Sequence, residues 1–134
     1  MTDEINYIHV TKAVIIQNSK ILLLKRKDSS KFFPKAWDFA GGKVEPGETV
    51  EQAVVREVKE ETGLDVIPEK IVGEFPFEAS GKQVMFHVFE IRPIDHDISD
   101  SIVLSADHSE FIWVEKNDLM KLDLAPAVRK YFEV

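Results

Sequence analysis

The sequence predicts an α/β (α+β) fold, a mixed β-sheet sandwiched between helices, and three observations carry that expectation. Strand-like apolar segments lie on both sides of one long amphipathic helix, cap-type residues mark where that helix stops, and further helical signals close the chain. No period recurs and no Gly/Ser linker or low-complexity tract divides the 134 residues, so one domain spanning 1–134 is expected.

Ile8 to Gln17 is rich in β-branched residues with partial alternation and reads as a strand. Asn18-Ser19 is a turn signal, and Ile21 to Lys25 is the returning strand. Lys27 to Lys35 is polar, carries Asp28-Ser29-Ser30 and Pro34, and reads as a loop. Trp37-Asp38-Phe39 is a short strand ending at Gly41-Gly42. Glu48 to Thr62 is the strong helix, opening after Pro46-Gly47 and stopping at Gly63. Val66 to Phe77 and Val84 to Ile91 form two strands joined by a turn at Ser80-Gly81. Asp95 to Asp107 is an acidic loop interrupted by Ile102-Val103-Leu104. Phe111 to Val114 is a short strand, and Asp118 to Leu122 and Pro126 to Phe132 are short helices.

The composition narrows the function. Without cysteine, disulfides, thiolate metal sites and thiol nucleophiles are excluded, so any metal sits on oxygen or histidine nitrogen. A net charge of −7, from 24 acids against 17 bases, argues against a general nucleic-acid binder, which needs concentrated Lys and Arg. It leaves room for a small phosphorylated ligand. Apolar runs are strand-sized, far short of the roughly 20 residues a membrane span needs. The acidic Met-Thr-Asp-Glu start lacks a signal-peptide layout, so a cytoplasmic protein with no membrane partner is expected.

One helix breaks its own pattern. On a wheel of about 100° per residue with Val50 at zero, Val54, Val58 and Val55 fall at about 40°, 80° and 140°. Glu61 falls at about 20°, inside that apolar stripe, with Glu57 and Glu60 beside it near 340° and 280°. Solvated acids belong opposite the valines, and like charges at i,i+4 are destabilising. Buried carboxylates are normally paired or bound to metal, and oxygen ligation favours Mg²⁺ or Mn²⁺. Just before the helix, Gly41-Gly42 and Gly47 allow tight turns and close backbone approach. Neither the phosphate-loop spacing Gly-x₄-Gly-Lys-Ser/Thr nor a dinucleotide-type Gly-x-Gly-x-x-Gly is present. His9, His87, His96 and His108 are scattered and read as structural or surface residues. Phe75 and Phe77 read as core.

These residues resemble a known family. Gly42, Glu48, Arg56, Glu57, Val58, Glu60, Glu61, Gly63 and Leu64 match the Nudix box, Gly-x₅-Glu-x₇-Arg-Glu-U-x-Glu-Glu-x-Gly-U with U a bulky aliphatic, at every defined position. The strand ending Lys25-Arg26, the Trp37-to-Gly42 approach and the Glu110-to-Val114 strand look like the small MutT-like branch.

The resemblance implies a Mg²⁺-dependent pyrophosphohydrolase acting on a nucleoside diphosphate linked to another group, most simply a nucleoside triphosphate. Nucleotide sugars and dinucleoside polyphosphates are the alternative substrates, and a silent nucleotide-binding domain the alternative function. It implies Glu60 and Glu61 as metal ligands with the Gly41 carbonyl, and Glu57 as a ligand or the general base. Glu48 and Arg56 look like an ion pair bridging loop and helix, and Arg26 like a phosphate contact. A late-loop acid, Asp107 or Glu110, is a further ligand candidate; Glu110 is preferred because Asp107 equally serves as a turn residue. Clustered carboxylates resist full ionisation without metal because like charges raise one another's pKa. The sequence departs from the family at Ala40, where proline is usual. Leu124 stands near where the oxidised-guanine enzyme of this branch carries a base-reading asparagine. Oligomeric state is left open.

Overall fold

The computed structural model describes residues 5–30, 33–94, 98 and 101–133. Its elements are β1 (Ile8–Gln17), β2 (Lys20–Arg26), β3 (Trp37–Asp38), α1 (Val50–Thr62), β4 (Val66–Ala79), β5 (Lys82–Pro93), β6 (His108–Val114), a 3₁₀ helix (Lys116–Lys121) and α2 (Pro126–Phe132). The expected order of strands and helices is therefore present. His96 and part of the acidic 95–107 loop lie outside the described residues.

The strands form one six-stranded mixed sheet in the order β3-β2-β1-β5-β4, with β6 paired to β2. Parallel pairing joins β1 to β5 over eight residue pairs from Ile8–Val84 to Ile15–Ile91. Hairpins join β1 to β2 and β4 to β5. Their turns carry positive φ at Asn18, Ser19, Ser80 and Gly81, the conformation that suits the strand twist.

Beside β1 the sheet opens. β1 and β2 pair only at their hairpin end, Ile16–Ile21 and Gln17–Lys20. Further along, β3 takes the place beside β2 at Leu24 and Lys25. The chain then crosses to β1, where Ala13 N–H donates to the Ala40 carbonyl at 2.8 Å and Thr11 N–H to that of Gly42 at 2.8 Å. The glycine segment thus fills a gap in the sheet.

Alternation along the strands builds two cores. Ala13, Ile15, Leu22, Leu24, Phe89 and Ile91 face α1 and meet Val54, Val58 and Leu64. Val14, Ile21, Leu23, Phe86 and Val88 face the other way and meet Phe39, Leu119, Ala127 and Val128. No helix of the described residues is long and apolar enough to cross a membrane.

α1 begins at Val50, two residues later than the sequence suggests. Thr49 is extended at φ −79°, ψ 162°, and its hydroxyl accepts from Gln52 N–H at 3.1 Å. The Gln52 carboxamide accepts in return from Thr49 N–H at 2.9 Å, a capping box that sets the first turn and leaves Glu48 in the loop. Gly63, at φ 77°, closes the helix as expected. The helix expected over Asp118–Leu122 is a 3₁₀ turn beginning at Lys116, anchored by buried Leu119.

Gly41 has φ +145°, and a Cβ there would stand 2.0 Å from the Thr11 carbonyl oxygen. Gly47, at φ +85°, has open space around it. Gly47→Ala is therefore expected to cost only its left-handed backbone, about 1–2 kcal/mol. Gly41→Ala is expected to lower the melting temperature far more or to abolish soluble expression, and equal melting of the two variants would contradict this packing.

Candidate active site

A cleft of about 350 Å³ lies where β1, the glycine segment, α1 and the start of β6 converge. Its walls carry Lys12 from β1, Arg26 from the end of β2, Gly41 and Gly42, Glu57 and Glu61 from α1, and Asp107 and His108. Each acid is placed by a distinct local constraint.

Glu61 occupies the position the wheel gives it, inside the valine stripe, and its side chain is only 8% exposed. Two faces of the glycine segment serve two neighbours. The carbonyls of Ala40 and Gly42 point to β1, whereas the Gly41 amide points to Glu61, 3.3 and 3.5 Å from its two carboxyl oxygens. Burial, opposed by the Lys12 charge and reinforced by Glu57, pushes the Glu61 carboxyl up to about 9. The sequence attributes such a rise to crowded like charges; desolvation is the larger cause.

Glu57 stands against the backbone. A Cβ at residue 42 would lie 2.5 Å from its carboxyl carbon, so only glycine lets the loop and this carboxylate share the space. Arg56 ties the arrangement together. Its Nε and Nη2 donate to the two oxygens of Glu48 at 2.7 and 2.9 Å, a fork that holds the loop to the helix. Nη2 also donates to the Lys43 carbonyl at 3.0 Å, and Nη1 donates to Glu57 at 2.9 Å and Glu60 at 3.2 Å. Arg56 and the Glu45 amide hold the Glu48 carboxyl down at about 2.

Beyond these acids, Lys12 and Asp38 form a buried pair at 2.7 Å. Arg26 Nη1 lies 3.6 Å from the same Asp38 oxygen. Lys12 and Arg26 line both the cleft and a second cavity of about 170 Å³, which Asp38 also lines. That cavity is walled by Phe33, Phe77 and Phe86, with Val10, Val84 and Pro126. Phe75 packs on Phe86 at 5.4 Å between ring centres, as a core residue.

The family profile for the NUDIX domain matches residues 8–134. The chain belongs to the NUDIX domain family. This Nudix protein is 34% identical over 120 residues to the CTP pyrophosphohydrolase of Escherichia coli K12, covering 90% of this chain and 84% of that protein. It is 38% identical over 119 residues to the ADP-ribose pyrophosphatase of Methanocaldococcus jannaschii, covering 87% of this chain and 68% of that protein. Among solved structures it resembles the MutT protein of Methanosarcina mazei Go1, at TM-score 0.84 and 34% identity over 98% of this chain and 94% of that one. The protein is a Nudix hydrolase, a pyrophosphohydrolase of nucleotide-like substrates.

Within the Nudix box the acids divide. Glu57 and Glu61 face the cleft, whereas Glu60 is 58% exposed and held by Arg56 at the rim. Among the described residues no three His, Asp or Glu side chains gather closely enough to hold a metal as they stand, in contrast to the single cluster the wheel suggests. Glu110 is 60% exposed and pairs with Lys25 at 3.4 Å, away from the cleft walls, and it is Asp107 that lines them. Sequence reasoning missed Lys12, Asp38 and His108. A lysine inside a β-branched strand was the available signal for the first; His108 is buried in the cleft, 3.6 Å from Glu61, where a structural or surface role was expected.

The raised Glu61 carboxyl fixes a sign. Between about 4.5 and 9 the folded chain holds a proton that the unfolded chain has released, so without a cation the fold loses stability as pH rises through that window. Glu48 acts oppositely, contributing stability above about 4.5 that is lost as pH falls towards 2. Melts in EDTA are expected to show a melting temperature that falls above neutral pH, and Glu61→Gln is expected to flatten the fall. About 1 kcal/mol moves the transition by roughly 4 °C in a domain of this size. A wild-type melting temperature that climbs towards pH 9 would contradict the rise that burial imposes on the Glu61 carboxyl.

Proposed function

We propose that this Nudix hydrolase cleaves a nucleoside triphosphate to the monophosphate and pyrophosphate, with Mg²⁺, or Mn²⁺ in its place, as cofactor. The observation that carries the reading is the shared wall: Lys12 and Arg26 stand between an acidic cleft and an aromatic cavity. One side suits a diphosphate carried with a cation, and the other a nucleobase.

The donor chemistry fits a hard cation. Glu61, Asp107 and the Gly41 carbonyl offer only oxygen, and Glu61 is a desolvated carboxyl that a nearby positive charge would ionise. Glu60 adds a ligand from the rim, with one oxygen held by Arg56. When bound, the cation supplies charge neutralisation on the phosphate oxygens and lowers the pKa of water.

The chain's own groups do the rest. Arg56 fixes one oxygen of Glu57, and the other accepts the proton of the attacking water, which makes Glu57 the general base. Arg26 directs its fork at phosphate oxygens, and Lys12, held by Asp38, keeps the wall between base and phosphates positive. Phe77 and Phe86, which line the aromatic cavity, suit contact with a planar base. The names of relatives support the class: a CTP pyrophosphohydrolase, and the nucleoside triphosphatase NudI of Escherichia fergusonii at 33% identity over 124 residues, 87% of this chain and 88% of that protein.

A second reading, hydrolysis of a nucleoside diphosphate joined to a sugar, is favoured by the ADP-ribose pyrophosphatase relative. It is also favoured by an open groove of about 550 Å³ that continues past Phe33 and Phe77.

A panel of nucleoside triphosphates, nucleotide sugars and dinucleoside polyphosphates, assayed for product with and without Mg²⁺, separates the two. Monophosphate and pyrophosphate from a triphosphate are expected. Glu57→Gln and Glu61→Gln are each expected to lower kcat by roughly 10²–10⁴-fold with the fold intact, the scale of a positioned acid–base group. Phe77→Ala is expected to raise KM with kcat little changed. Absence of Mg²⁺-dependent triphosphate hydrolysis, or near-normal turnover by Glu61→Gln, would overturn the proposal.

A further inference from the structure

His108 is a buried polar group in the cleft for which the proposed chemistry has no use. Its side chain is 7% exposed, and Nδ1 is buried without a hydrogen-bond partner, which is uncommon in a native interior. That atom faces Glu61 Oε2 at 3.6 Å, just beyond hydrogen-bond length.

The backbone is shaped to put it there. Along β6, Phe111 and Trp113 face α1 while Ile112 and Val114 face the other core. Unbroken alternation would send residue 108 to the side of Glu110, away from α1. Instead the β2–β6 register steps from Lys25–Glu110 to Arg26–His108, which makes Ser109 an extra residue in β6. Such a bulge re-aims a side chain, and here it turns the imidazole onto the helix side. The preceding loop is stitched to the end of α1: Val103 N–H donates to the Thr62 carbonyl at 2.9 Å and Ser105 N–H to the Glu61 carbonyl at 3.1 Å. Imidazole and carboxylate are therefore held across one narrow gap by their own backbones.

We infer that His108 is a positioning residue: Nδ1–H donates to the Glu61 carboxylate and, together with the Gly41 amide, fixes the direction in which that carboxylate presents its oxygens to a divalent cation. The inference rests on the proposed function, since it takes Glu61 as a cation ligand. Donors behind a ligand act through its orientation, and their loss typically costs about 10–100-fold in metal affinity or activity. A residue that merely filled space would be indifferent to which nitrogen is kept.

Three variants make that distinction. Asn places an amide nitrogen near Nδ1, Gln reaches towards Nε2, and Leu keeps volume alone. Mn²⁺ affinity is measured by electron paramagnetic resonance on wild type, His108→Asn, His108→Gln and His108→Leu, with kcat, KM and thermal melts in parallel. His108→Gln and His108→Leu are expected to lose roughly 10–100-fold in Mn²⁺ affinity and in kcat at nearly constant KM, with His108→Asn recovering most of both. Should His108→Leu fail to melt cooperatively, the Asn–Gln pair still decides. Variants that match an active, Mn²⁺-binding wild type, or an equal loss in Asn and Gln, overturn this inference alone. A wild type that neither binds Mn²⁺ nor hydrolyses nucleotides overturns the proposed function with it.

Discussion

The site depends on one close approach, the passage of Gly41-Gly42 between β1 and α1. On one side Gly41 leaves no room for a side chain against the Thr11 carbonyl; on the other Gly42 leaves none against the Glu57 carboxylate. Because the strand and the helix are separated by only a bare backbone, an amide of that backbone reaches Glu61. The same closeness seals Glu61 from water, so a carboxylate sits where charge is costly. The opening between β1 and β2 makes this passage available, and the Arg56–Glu48 fork holds the following loop in place. Geometry and electrostatics here have a single origin.

The buried Lys12–Asp38 pair has a different character. Such pairs add little net stability, yet removing one partner leaves an uncompensated buried charge and typically costs about 3–5 kcal/mol. Its placement explains its presence better than stability does. With Arg26 it forms the partition between an oxygen-rich cleft and an aromatic cavity, and it gives that partition a net positive charge in a chain whose total is −7. The acidic excess itself is partly local. Residues 48–62 hold five glutamates against Arg56 and Lys59, a net of −3, and they include both cleft-facing acids of the helix.

Much of this was legible in the sequence because it is local. Capping signals, apolar periodicity and turn residues act over a few positions, so α1 and both hairpins are legible from spacing, and the contiguous 42–64 box from its resemblance to a known motif. The intrusion of Glu61 into the valine stripe is likewise a property of one helix. What escaped was set by contacts far apart in the chain. Lys12 and Asp38 are 26 residues apart, and nothing local announces that they pair. Turn chemistry sets Asp107 aside in favour of Glu110 but says nothing of which side chain reaches the cleft, and it is Asp107 that lines it. The wheel places Glu57, Glu60 and Glu61 on one arc, yet Glu60, the one farthest from the valine stripe, is 58% exposed and bonded to Arg56. His108 was unremarkable by spacing, and only the bulge brings it to Glu61.

The proposed function requires that a divalent cation ionise the Glu61 carboxyl, which burial pushes up to about 9. Ligands must be deprotonated to bind metal, so binding should expel the proton. Calorimetric titration with Mg²⁺ at pH 7.5, repeated in buffers of different ionisation enthalpy, counts the protons released. About one proton per Mg²⁺ is expected from the wild type and close to none from Glu61→Gln. Mg²⁺ binding by the wild type with no proton release would contradict the account.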